Sequence, residues 1–110
     1  MGGLVIAAGS IFIGSRKKLA DLTMRHAVPT ISQYRDFAMA GGLMSYGSDI
    51  LEGYRLAGVY TGRVLKGESP AELPVVQATK FELVINLKTA KALAIKVPPS
   101  MQARADEMIE

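Results

Sequence analysis

The chain has 110 residues, of which 49% are hydrophobic and 21% charged, and its formal net charge is +3. This composition excludes a disordered chain, because disorder goes with low hydrophobicity and high net charge, and it predicts one α/β domain over residues 1–110. The absence of cysteine excludes disulfides, thiolate metal sites and cysteine nucleophiles.

Basic and acidic residues are interspersed, and the densest basic cluster is Arg16-Lys17-Lys18. Adjacent side chains point in different directions on a helix, and the chain has no tryptophan for base stacking. We therefore predict no nucleic-acid partner.

The first fourteen residues are apolar, but they fit neither a signal peptide nor a membrane span. A signal peptide carries positive charge before its apolar stretch, whereas here the charge follows, and a spanning helix needs about 20 apolar residues. We predict a buried strand at residues 4–8 and then a loop over residues 9–14.

Ser15 is the predicted cap of a helix that ends before Pro29. The core face of this helix is predicted from its spacing and comprises Leu19, Leu22, Thr23 and His26. A strand at residues 27–31, a helix at 33–40 with Phe37 on its apolar face, and a strand at 43–46 follow.

The longest predicted helix covers residues 50–66 and ends at Gly67. Asp49 is its predicted cap, and Glu52 would complete a capping box. Its predicted core face comprises Ile50, Leu51, Tyr54, Gly58, Thr61 and Leu65. Gly58 and Gly62 form a GxxxG motif, and the flanking charges favour close packing on a neighbouring element over membrane dimerisation.

The two prolines of residues 67–74 predict a loop, and Val75-Val76 restarts extended structure. Aromatic and β-branched residues predict a strand at residues 81–85. Asn86 would then cap a helix over residues 87–93, and Ser100 a last helix that runs to residue 110.

The sequence lacks the residues that the common catalytic sites need, so we predict a non-enzymatic protein without cofactor or metal. His26 is the only histidine, which excludes a histidine metal cluster, and its place near a helix end favours a structural role. The carboxylates are predicted to be solvated, namely Asp21, Asp36, Glu68, Glu72, Asp106 and Glu107.

Residues 9–16 have the glycine spacing of a phosphate loop, but Ser15 stands at the lysine position and Arg16 at the hydroxyl position. A phosphate-binding enzyme is therefore disfavoured. Two interpretations remain open, an anion or carboxylate site at a helix start and a plain glycine-assisted turn.

A long stretch beginning at Gly41-Gly42-Leu43-Met44-Ser45-Tyr46-Gly47 resembles bacterial ABC-transporter substrate-binding proteins. The resemblance continues through residues 54–55, 58–60, 62–67, 70–75 and 79–93 and ends at 98–100 and 103–107. The match is to the C-terminal third of these proteins. It implies a partial type I periplasmic-binding-protein fold, with a mainly parallel sheet flanked by helices.

In this family two α/β lobes close over a small solute, such as an amino acid, and present it to a membrane permease. The resemblance implies ligand contacts at six residues, which are Gly9, Ser10, Phe12, Ser45, Tyr46 and Asp49. Tyr46 would either contact the ligand or pack in the hinge. Many relatives carry an aspartate where Gly9-Ser10 stands, and they carry glycine at the position of Ala94.

The resemblance also implies a periplasmic location, whereas a chain expressed as given, with no signal peptide, would stay in the cytoplasm. Because such a piece leaves sheet edges open, we expect a homodimer. The alternative function is a stand-alone structural or dimerisation module that binds no solute.

Overall fold

The computed structural model describes residues 2–76 and 80–110. Its five β-strands, β1 to β5 in chain order, are Leu4–Ile6, Thr30–Ser32, Met44–Ser48, Phe81–Asn86 and Glu107–Ile109. Its α-helices, α1 to α6, are Ser10–Gly14, Arg16–Arg25, Arg35–Met39, Ile50–Leu65, Leu87–Ala92 and Pro99–Arg104. A 3₁₀ turn covers Pro70–Glu72.

The strands form one sheet in the order β1-β2-β3-β4-β5. The pairs β1–β2, β2–β3 and β4–β5 are parallel, and β3–β4 is antiparallel. The predicted α/β class and the mainly parallel sheet are confirmed. Because β1, β2 and β3 run the same way, their carboxyl ends meet at one edge of the sheet, where β4 begins.

Two apolar clusters lie on opposite faces of the sheet. Ile6, Ala20 and Phe37 pack together under α2 and α3. On the other face, Ile85 and Leu43 pack with Ala90 and Val97 of the chain that follows β4. The second cluster covers the sheet only at the β4–β5 end, so the same face at β1 and β2 stays open, and Val5 there is 75% exposed. The prediction of a fully buried first strand is therefore wrong, because β1 is an edge strand.

Hydrogen bonds from the side chains of Asn86 and Thr89 join the start of α5 to the chain between α3 and β3. As predicted, Asn86 caps α5, its Oδ1 accepting from the Thr89 backbone N–H at 3.1 Å. Its Nδ2 donates to the Ala38 carbonyl at 3.1 Å, and the Thr89 hydroxyl donates to the Gly41 carbonyl at 2.8 Å. These bonds hold α5 against the turn between α3 and β3.

The predicted loop over residues 9–14 is wrong, because Ser10–Gly14 is helical. Ser15 lies between two helices, and its side chain makes no capping hydrogen bond in the described part of the chain. The predicted core face of α2 is correct at Thr23, which is buried, but Leu22 and His26 are exposed. Ala20, which is 1% exposed, lies in the core instead of these two residues.

The predicted last helix from Ser100 to residue 110 is also wrong. Pro98 precedes α6, which stops at Arg104, and β5 then pairs with β4. Tertiary contacts decide this outcome, since the Leu83 N–H donates to Asp106 Oδ2 at 2.8 Å and Arg35 Nη2 donates to Glu107 Oε2 at 2.5 Å. The carboxylates of Asp106 and Glu107 were both predicted to be solvated. In the structure the Asp106 carboxylate bonds to the sheet, and the Glu107 carboxylate pairs with Arg35.

The bounds and caps of α4 follow the prediction, but its packing does not. Asp49 Oδ1 accepts from the backbone N–H of Leu51 at 3.0 Å, and Gly67 lies beyond the helix end with φ of 108°. The Glu52 side chain pairs with Arg55 rather than completing the capping box. No side chain of α4 is buried against the described residues. The predicted core face of α4 is therefore wrong for this chain.

Contacts of the segment after α4 keep it against the helix. The Tyr60 hydroxyl donates to the Pro74 carbonyl at 2.7 Å, and Arg63 forms two hydrogen bonds to Glu68, at 2.6 and 3.0 Å. The extended structure predicted at Val75-Val76 forms no strand, and residues 77–79 lie outside the described ranges. In the described ranges, no helix combines the length and the apolar character that crossing a membrane requires.

Candidate functional site

A cleft of about 340 Å³ lies at the carboxyl ends of β1, β2 and β3. We call it the Tyr46 cleft. It is lined by the last residues of these strands and the first residue of β4, namely Val5, Ile6, Ala7, Ile31, Ser32, Gln33, Tyr46, Gly47, Ser48 and Phe81. In open α/β sheets, ligands bind outside the carboxyl ends of parallel strands, so the position is that of a binding site.

Two aromatic rings form one wall of the Tyr46 cleft. The rings of Tyr46 and Phe81 stack with their centroids 6.0 Å apart and their planes 14° from parallel. In the antiparallel β3–β4 ladder Ser48 pairs with Phe81, so Tyr46 and Phe81 are diagonal neighbours on one face of the sheet. Both rings are about half exposed, at 54% and 51%, which leaves their faces accessible to a third apolar or aromatic group.

The floor of the cleft requires glycine at position 47. A Cβ placed on Gly47 would overlap the backbone oxygen of Gln33 and lie 2.9 Å from its Cγ. The end of β2 can therefore approach β3 closely only because this side chain is absent. Gln33 and Ser48 contribute the polar groups that line the cleft beside the rings.

Ser45 and Asp49 lie apart from Tyr46, in a smaller cavity of about 160 Å³. Successive strand residues point to opposite faces of a sheet, so Ser45 points away from the Tyr46 cleft. It is 1% exposed, and its Oγ has no hydrogen-bond partner among the described residues. Asp49 is committed to capping α4, and Glu82 in the same cavity pairs with Arg35 at 3.4 Å.

Gly9, Ser10 and Phe12 do not line either cavity in the described residues. They follow Ala7, which does line the Tyr46 cleft, and they form the start of α1. Phe12 is 38% exposed, and its ring packs back toward Gly9, where a Cβ would lie 3.1 Å from Phe12 Cδ2. Of the six predicted ligand contacts, the structure brings Tyr46 alone into this cleft.

Sequence reasoning missed Phe81 and Gln33 as candidate contacts. Phe81 was predicted only as the start of a strand, and nothing in its neighbours shows which strand it joins. The antiparallel pairing of β3 with β4 brings it to Tyr46, across 35 positions of sequence. The one signal in the sequence was an exposed-strand pattern that begins with an aromatic residue and alternates with the charged Glu82.

The described groups whose pKa values are shifted belong to two ion pairs, one within α4 and one between α4 and the segment that follows it. Arg55 donates two hydrogen bonds to Glu52, which lower the pKa of that carboxyl, and Arg63 lowers the pKa of Glu68 in the same way. The pKa values of both guanidinium groups rise for the reciprocal reason. No charged residue lines the Tyr46 cleft, so its recognition chemistry is apolar, aromatic and hydrogen-bonding.

A family model for ABC transporter substrate binding proteins matches residues 4–109. The chain belongs to the ABC transporter substrate-binding protein family. The resemblance found in the sequence is thereby confirmed, and the sheet with its edge cleft is the family's fold in part. Among curated proteins, no sequence matches this chain.

Solved structures agree with this assignment. A conserved domain protein from Vibrio cholerae O1 biovar El Tor has a TM-score of 0.87 at 22% identity. An ABC domain from Streptococcus pneumonia in complex with L-Trp has a TM-score of 0.83 at 25% identity. A ligand-free, open substrate-binding protein with adhesive properties from Clostridium difficile has a TM-score of 0.62 at 17% identity.

Each comparison covers 96% of this chain but 36% of the other protein. The chain thus spans about a third of the length of the solved structures it matches. The fold of that third is kept.

Proposed function

We propose that this member of the ABC transporter substrate-binding family is a non-enzymatic solute-binding component of an uptake system, acting as one unit over residues 1–110. Its ligand is a small solute with an apolar or aromatic group, such as an aromatic amino acid. In this proposal the solute is handed to an ABC permease, and the protein works in the periplasm, as the family resemblance implies.

The stacked pair of Tyr46 and Phe81 is the observation that carries this proposal. Two half-exposed rings at the carboxyl ends of parallel strands offer a flat apolar face, and a stacked aromatic contact contributes about 0.5–1.5 kcal/mol beyond simple burial. The relative at 25% identity is in complex with L-Trp, which is a ligand of this kind. Gln33 and Ser48 would provide hydrogen bonds at the polar end of the solute.

The other predicted contacts have distinct roles in the proposal. Gly9, Ser10 and Phe12 follow the cleft-lining end of β1 and would contact the solute from the rim of the cleft. Ser45 and Asp49 would act from the opposite face, by positioning β3 and the start of α4.

The experiment is a titration of the chain with L-tryptophan, followed by the fluorescence of the ligand. The protein has no tryptophan, so the indole signal comes from the ligand alone. We expect saturable binding that Tyr46→Ala weakens by about two- to tenfold, the factor that corresponds to the loss of one stacked contact. Met39→Ala is the matched control, because Met39 has the same exposed fraction as Tyr46, 54%, and lies on α3 outside the Tyr46 cleft.

Thermal melts against the other proteinogenic amino acids complete this test. A ligand that prefers the folded state raises Tm by an amount that grows with the logarithm of its concentration once that concentration exceeds its Kd. If no amino acid raises Tm and L-tryptophan gives no saturable fluorescence change, or if Tyr46→Ala and Met39→Ala weaken binding equally, the solute-binding proposal is wrong.

The second candidate function, a stand-alone dimerisation module, is favoured by a different observation. The apolar face of α4 is exposed along its whole length, with Leu51 at 71% and Leu65 at 81%. A chain that binds no amino acid but associates through this face would have the alternative function.

A further inference from the structure

The cavity that contains Ser45 is separate from the Tyr46 cleft. We call it the Ser45 cavity. It has a volume of about 160 Å³ and lies between the start of α3, the end of β3 and the start of α4. Ser45 reaches it from the sheet face opposite to Tyr46, because successive strand residues point to opposite faces. The cavity has room for several water molecules or for one small organic ion.

Ser45 places an unpaired hydroxyl at the wall of this cavity. The residue is 1% exposed, and its Oγ has no hydrogen-bond partner among the described residues. Buried polar atoms are almost always hydrogen-bonded, because burial removes the bonds that they would make to water. A hydroxyl oxygen has two lone pairs, so the Ser45 Oγ can accept a hydrogen bond from a ligand that carries N–H groups.

Glu82 of β4 lies on the same sheet face as Ser45. In the antiparallel ladder Glu82 pairs with Gly47, which is two positions from Ser45 along β3. Ser45 and Glu82 are therefore diagonal neighbours, about 7–8 Å apart at their backbones, and a long side chain can cross that distance. The Glu82 side chain is 16% exposed. Since both residues line the Ser45 cavity, its wall combines a carboxylate with an unpaired hydroxyl.

Acidic groups outnumber basic groups around the Ser45 cavity. Its carboxylates belong to Asp36, Asp49 and Glu82, and among the described residues its one cation is Arg35. Arg35 Nη2 lies 2.5 Å from Glu107 Oε2, whereas its Nη1 lies 3.4 Å from Glu82 Oε2, so the close ion pair is with Glu107. Both N–H groups that Asp49 caps bond to its Oδ1. The cavity is therefore complementary to a ligand with a positive charge.

The donors and acceptors favour an ammonium group over a metal ion. Within residues 2–76 and 80–110, no three side chains of His, Cys, Asp or Glu are grouped closely enough to hold a metal ion. A primary ammonium instead has three N–H donors. The Ser45 Oγ and the carboxylates of Glu82 and Asp49 can each accept one of them, and hydrogen bonds between charged groups are strong.

We propose that the Ser45 cavity is a binding site for a small primary ammonium ion, of the size of methylammonium or ethylammonium. The Ser45 Oγ accepts one N–H group, and the carboxylates of Glu82 and Asp49 accept the other two and balance the charge. The site uses neither Tyr46 nor Phe81, so it is independent of the aromatic solute proposed above.

Thermal melts of the full chain with methylammonium chloride test this proposal. We expect a saturable rise in Tm relative to sodium chloride at the same ionic strength, because a ligand that binds the folded state stabilises it. Tetramethylammonium chloride is the matched control ligand. It carries the same charge but has no N–H group, so we expect it to give no saturable rise.

Two variants test the assigned contacts. Ser45→Ala removes the hydroxyl, and Glu82→Gln removes the charge but keeps the size of the side chain. Each should raise the Kd for methylammonium at least tenfold, the factor that corresponds to one lost hydrogen bond to a charged group. Arg35 keeps its close pair with Glu107, so Glu82→Gln should fold. Thr23→Ala is the matched control, because it removes a buried hydroxyl on α2, outside the cavity, and should leave the Kd unchanged.

Ser45→Ala also distinguishes a binding role from a structural one. Without a ligand, this variant should be more stable than the wild type, because the unpaired buried hydroxyl is gone. With saturating methylammonium, the Tm of the wild type should rise and that of the variant should not. A hydroxyl with only a structural role would change the first comparison and not the second.

Several results would overturn the proposal. A wild type without a saturable rise in Tm has no such site, and an equal rise with tetramethylammonium would show that N–H donors are not recognised. If Tyr46→Ala abolishes the rise, the cation binds the rings of the Tyr46 cleft instead. An unchanged Kd in both Ser45→Ala and Glu82→Gln would place the cation elsewhere. Tighter binding of N-acetyl-lysine amide than of methylammonium would assign the site to a lysine side chain of a partner protein.

Discussion

Replacing Gly47 by alanine tests whether the close approach of β2 and β3 shapes the Tyr46 cleft. The added Cβ would overlap the Gln33 backbone oxygen and lie 3.2 Å from its carbonyl carbon. Backbone atoms cannot rotate away as a side chain can, so the end of β2 must shift or β3 must bend. The change therefore acts on the strands that carry the cleft.

The change in the free energy of unfolding for Gly47→Ala follows from two opposing contributions. Overpacking a well-packed site costs about 1–3 kcal/mol. Loss of glycine restricts the unfolded chain, which offsets about 0.4–1 kcal/mol of that cost. We expect Gly47→Ala to lower the free energy of unfolding by about 1–2 kcal/mol, and each kcal/mol lowers Tm by about 4–8 °C.

Gly53→Ala is the matched control, with the opposite expected sign. Gly53 lies in α4, and apart from the neighbouring backbone of the helix no described atom lies within 4 Å of a Cβ built on it. Alanine in an exposed helix is more stable than glycine by about 0.5–1 kcal/mol, so this variant should be more stable than the wild type.

Urea denaturation followed by far-ultraviolet circular dichroism measures both variants at one protein concentration, because association shifts the apparent stability. Equal stability of Gly47→Ala and the wild type, within about 0.5 kcal/mol, would refute the steric argument. The same would hold if both alanine variants shifted in the same direction.

Three further changes test other contacts. Asn86→Ala should cost about 2 kcal/mol in urea denaturation, because it removes the cap of α5 and one of the two donors to the Ala38 carbonyl, which keeps the Gly41 N–H; a loss under about 1 kcal/mol would contradict this. Ser45→Ala should raise stability by up to about 1 kcal/mol, since the buried hydroxyl has no partner among the described residues, and a clear loss would show that the hydroxyl is hydrogen-bonded in solution. Glu52 has a pKa lowered by its hydrogen bonds to Arg55, so its stabilising effect is present at neutral pH and is lost as the pH falls through that lowered pKa, below about pH 4.5. The stability difference between wild type and Glu52→Gln should therefore shrink as the pH falls below about 4.5, and a difference that is constant with pH would contradict the assignment.

Elements with strong local signals were predictable from the sequence. The strand that became β4, its Asn86 cap and α5 follow from β-branched residues and one capping side chain. The Asp49 cap and the end of α4 at Gly67 follow in the same way. Ala94, where relatives carry glycine, has a φ of 55°, in the left-handed region. In these places the local preference and the final fold agree.

Elements decided by distant contacts were not predictable. Residues 107–109 are compatible with a helix, but pairing with β4 and the ion pair to Arg35 make them a strand. The Tyr46 cleft depends on the same kind of information, because Phe81 reaches Tyr46 only through the order of strands. For α4 the periodicity predicted the helix but not its packing, since all six residues of the predicted core face are exposed, whereas Leu56 and Tyr60 are half-buried.

The direct pairing of Ser48 with Phe81 makes the stretch between them a topological insertion. The chain leaves the sheet at Ser48 and re-enters it at the adjacent position of the neighbouring strand, so α4 and its following segment impose no spacing on β3 and β4. A hairpin turn of two to five residues would close the same gap. Such a shortened chain would keep the sheet, both apolar clusters and the strand ends that form the cleft. In evolution the segment between Ser48 and Phe81 can therefore become longer or shorter, and its surface can change, without altering the register of the sheet.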